Sequence, residues 1–216
     1  MHIEPGVLLA GKVAAANVAA VVLVGAAALA ALRRPVALPT LLWRTLLAAA
    51  FFTLCMQAFH LKVGPSELHF LGAMPMYLAF GLLPTLLGFA VGLLVQGWWF
   101  EPADLLHLSV NTLSLALPLL AVHAGLGRRI GRIDLRAVLR LDAAYYAGVT
   151  TMVGFWLAIG AVATPFSDWL RFALSYTSVV ALEPLLTVAV LLGVARVRRH
   201  RWAALCFDAR AVFAAR

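Results

Sequence analysis

Long apolar blocks, broken by short basic or turn-forming segments, set the pattern of this chain. A helix needs about 20 apolar residues to cross the hydrocarbon of a bilayer, with a lower limit near 17. Seven blocks fit that template or approach it: Val7–Leu32, Leu41–His60, Phe70–Leu83, Thr85–Trp99, Leu105–Leu126, Ala143–Thr164 and Leu170–Val197. The third and fourth are short and separated only by Pro84. They read either as a tight hairpin or as segments packed inside the bundle without crossing fully. The pattern predicts an all-α integral membrane protein, with one N-terminal helix preceding six others. The whole chain, 1–216, reads as one transmembrane domain: an exposed terminus over 1–6, a helical bundle over 7–197 and a basic tail over 198–216.

Composition agrees with the pattern. Of 216 residues, 64% are apolar and 12% charged, against roughly a quarter charged in a soluble domain. The net charge of +8 does not point to nucleic acid, because the arginines lie in clusters between apolar blocks. One group of clusters holds Arg33 and Arg34, then Arg128, Arg129, Arg132, Arg136 and Arg140, then Arg196, Arg198, Arg199, Arg201, Arg210 and Arg216. The alternate connections hold Glu4, Glu67, Glu101, Asp104 and Asp168, with Lys62 among the few cations. Cytoplasmic loops carry the excess of Lys and Arg, so the expected orientation is N-terminus outside and C-terminus inside, in the inner (plasma) membrane. The first block lacks the basic start of a signal peptide and is too long for one, so it reads as a retained helix. Cys55 lies inside an apolar block and Cys206 in the basic tail, a placement that suggests no disulfide.

Three features within the blocks stand out. Ala15, Ala19, Ala26 and Ala30 fall on one face of the first helix, with Ala16, Ala20, Ala27 and Ala31 beside them. Small residues let helices approach closely in lipid, so this ridge serves either packing within the bundle or docking of a partner membrane subunit. Glu183, followed by Pro184, falls near the middle of the last block. An ionisable group there is costly and often functional; a protonated or paired residue at a proline kink is the alternative. Asp142, Tyr145 and Tyr146 open the sixth block and read as interfacial anchors.

The chemistry begins at the terminus. In Met1-His2 the α-amine, the His2 amide nitrogen and the His2 Nδ1 can close a five- and a six-membered chelate ring around one metal ion. Three nitrogens then share a plane and a fourth position stays open. Pro5-Gly6 is a turn signal directly before the first block, and it can fold the terminus back onto the bundle. His69, in Gly64-Pro65-Ser66-Glu67-Leu68-His69, is the first candidate for the fourth ligand, and His60 the second. His107 and His123 lie at opposite ends of the fifth block, and His200 in the basic tail. A planar nitrogen set with a deprotonated amide suits Ni(II) or Cu(II), with Co(II) also open, whereas zinc favours a tetrahedron and magnesium oxygen ligands.

Met1-His2-Ile3 with Pro5-Gly6, Ser66–His69 running into Phe70-Leu71-Gly72, and Leu94-Val95-Gln96 with Phe100 resemble the CbiM/NikM family. The recognisable motifs end at about Asn111. Members are the substrate-binding membrane components of energy-coupling-factor (ECF) transporters for cobalt and nickel. The resemblance implies an N-terminal helix added to a six-helix core, with the terminus plugged into the core from outside. It implies Ni2+ or Co2+ as the transported ligand, held by Met1, His2 and His69, and no organic cofactor. It also implies a transmembrane coupling subunit and separate ATPase subunits as partners; nothing in the chain resembles a phosphate-binding loop. Ser66, Glu67, Gln96 and Asn111 become candidate supports of the site. The chain departs from the family in Glu4-Pro5 before Gly6, in Pro65-Ser66-Glu67 within the loop, and in Ser114 where a second Asn is common. Glu67 either orients His69 or is a solvated loop charge.

Two other classes compete. A membrane-embedded metalloenzyme would use His107, Asn111 and His123. A vitamin-binding or sensory bundle would line an organic pocket with Trp98, Trp99, Phe100 and Trp156, residues that otherwise form an interfacial aromatic belt.

Overall fold

The computed structural model describes residues 2–33, 38–162 and 164–208, with the backbone alone at His2. Met1, the His2 side chain, Arg34, Arg210 and Arg216 therefore lie outside the described residues. The helices are α1 (Ala10–Leu32), α2 (Leu38–Ala58), α3 (Ala73–Phe80), α4 (Leu82–Trp99), α5 (Leu108–Gly125), α6 (Leu135–Ala158), α7 (Phe166–Val197) and the short α8 (Ala203–Cys206). A 3-10 segment, Pro102–His107, leads into α5. Three strands, β1 (His2–Ile3), β2 (His60–Val63) and β3 (Ser66–His69), form a small antiparallel sheet in the order β1-β3-β2.

The protein is mostly helical, and five helical stretches are long and apolar enough to cross a membrane: α1, α2, α4, the continuous 102–129 stretch containing α5, and α7. Together they make this a multi-pass membrane protein. The α6 helix is long enough, at 24 residues, but Arg136, Arg140 and Asp142 occupy its first turns. The expected third span, Phe70–Leu83, is instead an extended segment followed by α3, whose eight residues rise only about 12 Å. Nor is the chain purely α. The expected second span ends at Ala58, and His60 opens a strand.

Other boundaries also move for local reasons. Pro84 does not divide two helices; it sits in the first turn of α4, where a missing N–H costs nothing. The α6 helix starts eight residues before the expected Ala143, because Asp134 caps it by accepting from the Ala137 N–H at 2.8 Å. This buries Asp142, Tyr145 and Tyr146 at 1%, 0% and 2% exposure. They face the core and are not interfacial anchors. Trp156 is buried too, its indole N–H donating to Ser114 Oγ at 2.8 Å, whereas Trp98, Trp99 and Phe100 stay exposed.

Small residues decide which helices meet closely. The inner alanine stripe of α1, Ala16, Ala20, Ala27 and Ala31, is buried, while Ala15, Ala19, Ala26 and Ala30 are exposed. The α2 helix lies along α4 where Gly88 faces Ala48 and Ala49, with Phe52 and Phe89 edge-to-face at 5.2 Å beside them. All eight residues of α3 are buried, because it is wedged among α2, α4, α6 and α7. A helix that is apolar all round belongs in such a place.

A Cβ at Gly88 would stand 2.7 Å from Ala48 Cβ and 3.2 Å from the Ala49 backbone nitrogen. Backbone cannot swing aside, and overpacking of this kind costs about 1–3 kcal/mol. Gly88→Val is expected to lower the thermal unfolding midpoint of the detergent-purified protein measurably, while Gly11→Val, where a Cβ meets nothing within 4 Å, is expected to leave it in place.

Candidate metal site

The site is built where the N-terminal segment docks. β1 pairs with β3 in the register His2 opposite Glu67 and Ile3 opposite Ser66. The Glu4 N–H continues the pairing to the Pro65 carbonyl at 3.2 Å. The backbone of Ile3 faces the other way, toward the start of α5. Its N–H donates to Asn111 Oδ1 at 3.1 Å, and its carbonyl accepts from His107 Nδ1 at 2.9 Å. Ile3, Asn111 and His107 are 1%, 1% and 3% exposed, so water does not compete for these bonds. Further along, the Val7 carbonyl accepts from Ala161 N–H at 2.7 Å, and Lys12 Nζ donates to the Ile159 carbonyl. At the surface Lys62 pairs with Glu4. That hydrogen bond holds the Lys62 ammonium above the ordinary lysine range.

His69 ends β3 and is buried. Its Nδ1 lies 3.4 Å from the Met56 carbonyl, and its Nε2 lies 3.3 Å from Glu67 Oε2. With the Nδ1 proton directed at Met56, Nε2 is the nitrogen that presents a lone pair. Glu67 thus lies beside Nε2 of His69, whereas the Met56 carbonyl faces Nδ1. Ser66 is fully buried in the strand. His60 stands directly opposite His69 across the β2–β3 pair, with ring centroids 6.0 Å apart. It is exposed, and so lies at the rim of the site.

Asn111 thus supports the terminus through the Ile3 N–H, and Ser114 is engaged elsewhere by Trp156. Gln96 is buried but accepts from Gln57 Nε2 at 2.5 Å, so it ties α4 to α2. Sequence reasoning missed His107 as a holder of Ile3. Its signal was present: His107 and Asn111 stand four residues apart on the same helical face. The three residues of the metalloenzyme reading do not come together. His123 accepts or donates at the opposite end of α5, 2.8 Å from the Tyr77 hydroxyl, and 16 residues of helix separate it from His107 by about 24 Å. The aromatic-pocket reading fails as well, since Trp156 is buried while Trp98 and Trp99 are exposed.

Behind the site, Phe70, Leu71 and Gly72 carry the chain from His69 into α3. The Leu71 and Gly72 amides each donate to Glu183 Oε1 at 2.9 Å, and the Tyr146 hydroxyl donates to the same oxygen. Glu183, unexplained by sequence alone, fixes the start of the helix that follows β3. Gly72 has φ +62°, and a Cβ there would stand 2.6 Å from Phe51 Cε1 and 3.0 Å from Cys55 Sγ, so both the turn and the close approach need glycine.

The family model of the cobalt uptake substrate-specific transmembrane region, CbiM, matches residues 2–201. The chain belongs to the CbiM family. No curated protein and no solved structure matches it. The CbiM model extends well past Asn111, where the recognisable motifs stop, so α6 and α7 belong to the family pattern too. Membership makes the chain a transport component for cobalt or nickel uptake.

The anchoring bonds are separable from the metal. Asn111→Ala removes a buried hydrogen bond of about 1 kcal/mol. It is expected to speed amide deuterium exchange over residues 2–4 by about fivefold, while exchange over β2 is unchanged. Equal exchange in variant and parent would show that Asn111 does not hold the segment.

Proposed function

We propose that this CbiM protein is the substrate-specificity subunit of an ECF-type importer, which takes Ni2+ or Co2+ from outside the inner membrane. The Met1 amine and the His2 amide and imidazole are the first three ligands, and His69 Nε2 is the fourth. The observation that carries this reading is the pairing of β1 with β3, the strand that ends at His69. It sets the metal-chelating terminus and the candidate fourth ligand in one small sheet, held from behind by Asn111 and His107. Glu67 supplies a negative charge beside Nε2, which favours a cation there. Three ligands belong to one contiguous segment and the fourth to another element, so complete coordination depends on the docked sheet.

Seven helices with the N-terminus outside remain the orientation that supports this use. At the opposite end of the bundle from the sheet, Arg128, Arg132 and Asp208 line a cavity of about 470 Å3. That basic end faces the cytoplasm under the positive-inside rule. The site then opens outward, and the ion leaves inward through movement driven by the partner subunits. The exposed stripe Ala15, Ala19, Ala26 and Ala30 offers a close-packing face to a transmembrane coupling subunit. ATP hydrolysis belongs to the ATPase subunits.

Calorimetry on the purified protein tests the ligand set. Adding one residue before Met1, His2→Ala and His69→Ala are each expected to weaken nickel or cobalt binding by more than about 100-fold, beyond the 10–100-fold that loss of an outer-shell partner costs. Unchanged affinity in any of the three removes that ligand from the site. Protons compete for the same nitrogens, whose ordinary values lie near 7.7–8.0 for an α-amine and 6.5 for histidine. Affinity is therefore expected to fall steadily from about pH 8 to pH 6, and a flat profile over that range would contradict amine and imidazole ligation.

A further inference from the structure

Asp142 and Glu183 are two buried carboxyl groups that the metal site does not use. They are 1% and 0% exposed, and each lies within electrostatic reach of the other. From α6 they are faced by Tyr145 and Tyr146, from α7 by Tyr176 and Thr187, and from α2 by Cys55. Among the described residues neither forms an ion pair with Lys, Arg or His. Two unneutralised carboxylates in an apolar bundle are prohibitively costly. One oxygen of each, Asp142 Oδ1 and Glu183 Oε2, is buried without a hydrogen-bond partner among the described residues.

Hydrogen-bond direction distinguishes the two groups. Glu183 Oε1 receives three donors: the Leu71 and Gly72 amides and the Tyr146 hydroxyl. The two amides lie just before the first turn of α3, where the helix dipole also favours an anion. Asp142 meets one group, Thr187 Oγ1, at 3.4 Å. That hydroxyl has a single hydrogen, and it has a nearer acceptor in the Glu183 backbone carbonyl, 3.0 Å away. With the hydrogen directed there, and with Asp142 Oδ2 at 3.4 Å, Thr187 gives the Asp142 carboxyl no firm donor.

We infer that Asp142 is a proton-binding site: it carries one proton, beside an ionised Glu183 that holds the start of α3. The arrangement stores a proton within the bundle, one residue network away from Leu71 and Gly72, and independent of which metal the protein carries.

Infrared spectroscopy of the full chain in detergent reads this directly. At neutral pH the metal-free protein is expected to give a protonated-carboxyl C=O band that shifts on H/D exchange. The band is expected to disappear in Asp142→Asn and to persist in Glu183→Gln. If Asp142→Asn does not fold, Asp142→Glu serves, with the band displaced in frequency. The inference is overturned by absence of the band in the parent protein, by its persistence unchanged in the Asp142 variants, by its loss in folded Glu183→Gln, or by its loss when sodium replaces a large organic cation. The last result would assign the site to a metal cation.

Discussion

Backbone N–H and C=O groups inside an apolar bundle must be paired, because neither lipid nor apolar side chains can satisfy them. Helices solve this internally, and most of this chain is helix. The exception is the stretch from His60 to Gly72, which enters the bundle as two strands and an extended segment before α3 begins. Its pairing requirement organises what surrounds it. β2 covers one edge of β3, and the N-terminal β1 covers the other. Where the sheet ends, Glu183 takes the two amides of Leu71 and Gly72. Without β1, the buried edge at Ser66 would lack its neighbour, so the terminus is part of the fold as well as a carrier of nitrogen donors.

The same constraint explains why the candidate site sits at this end. A helix can present a ligand only every three or four residues along one face. A strand brings neighbours from distant segments into register. Here the register sets His2 opposite Glu67, and His60 opposite His69. Asn111 and His107 finish the pairing of Ile3 from α5, which gives the terminus a fixed position relative to His69. The docking and the proposed coordination thus draw on one set of contacts. A change that loosens β1 would alter both stability and the proposed metal capture.

How much of this was legible in the sequence depends on the element. Long apolar blocks marked α1, α2, α4, α5 and α7 to within a few residues, because a run of lipid-compatible residues permits little else. The small-residue stripe of α1 was legible too, though its division into a buried and an exposed face needed its neighbours. The strands were not, since four polar and apolar residues around Gly64-Pro65 look like a loop until the terminus pairs with them. The start of α6 was obscured by Arg136 and Arg140, which made a helical segment look like a basic loop and hid the burial of Asp142, Tyr145 and Tyr146. Of the residues singled out around the terminus, Asn111 takes the Ile3 N–H, Glu67 stands opposite His2 and His69 ends the same strand, whereas Gln96 ties α4 to Gln57. Glu183 was recognisable as an anomaly. Its partners, the amides of a short helix more than a hundred residues away, were beyond any local pattern.

X-ray absorption at the metal edge of the nickel-loaded protein addresses the central point most directly, because it counts and types the ligands. The expected spectrum is that of a planar site with nitrogen donors only, including two imidazoles in the parent protein and one in His69→Ala. A six-coordinate oxygen-rich site, or an imidazole count that His69→Ala leaves unchanged, would contradict coordination shared between the docked terminus and β3.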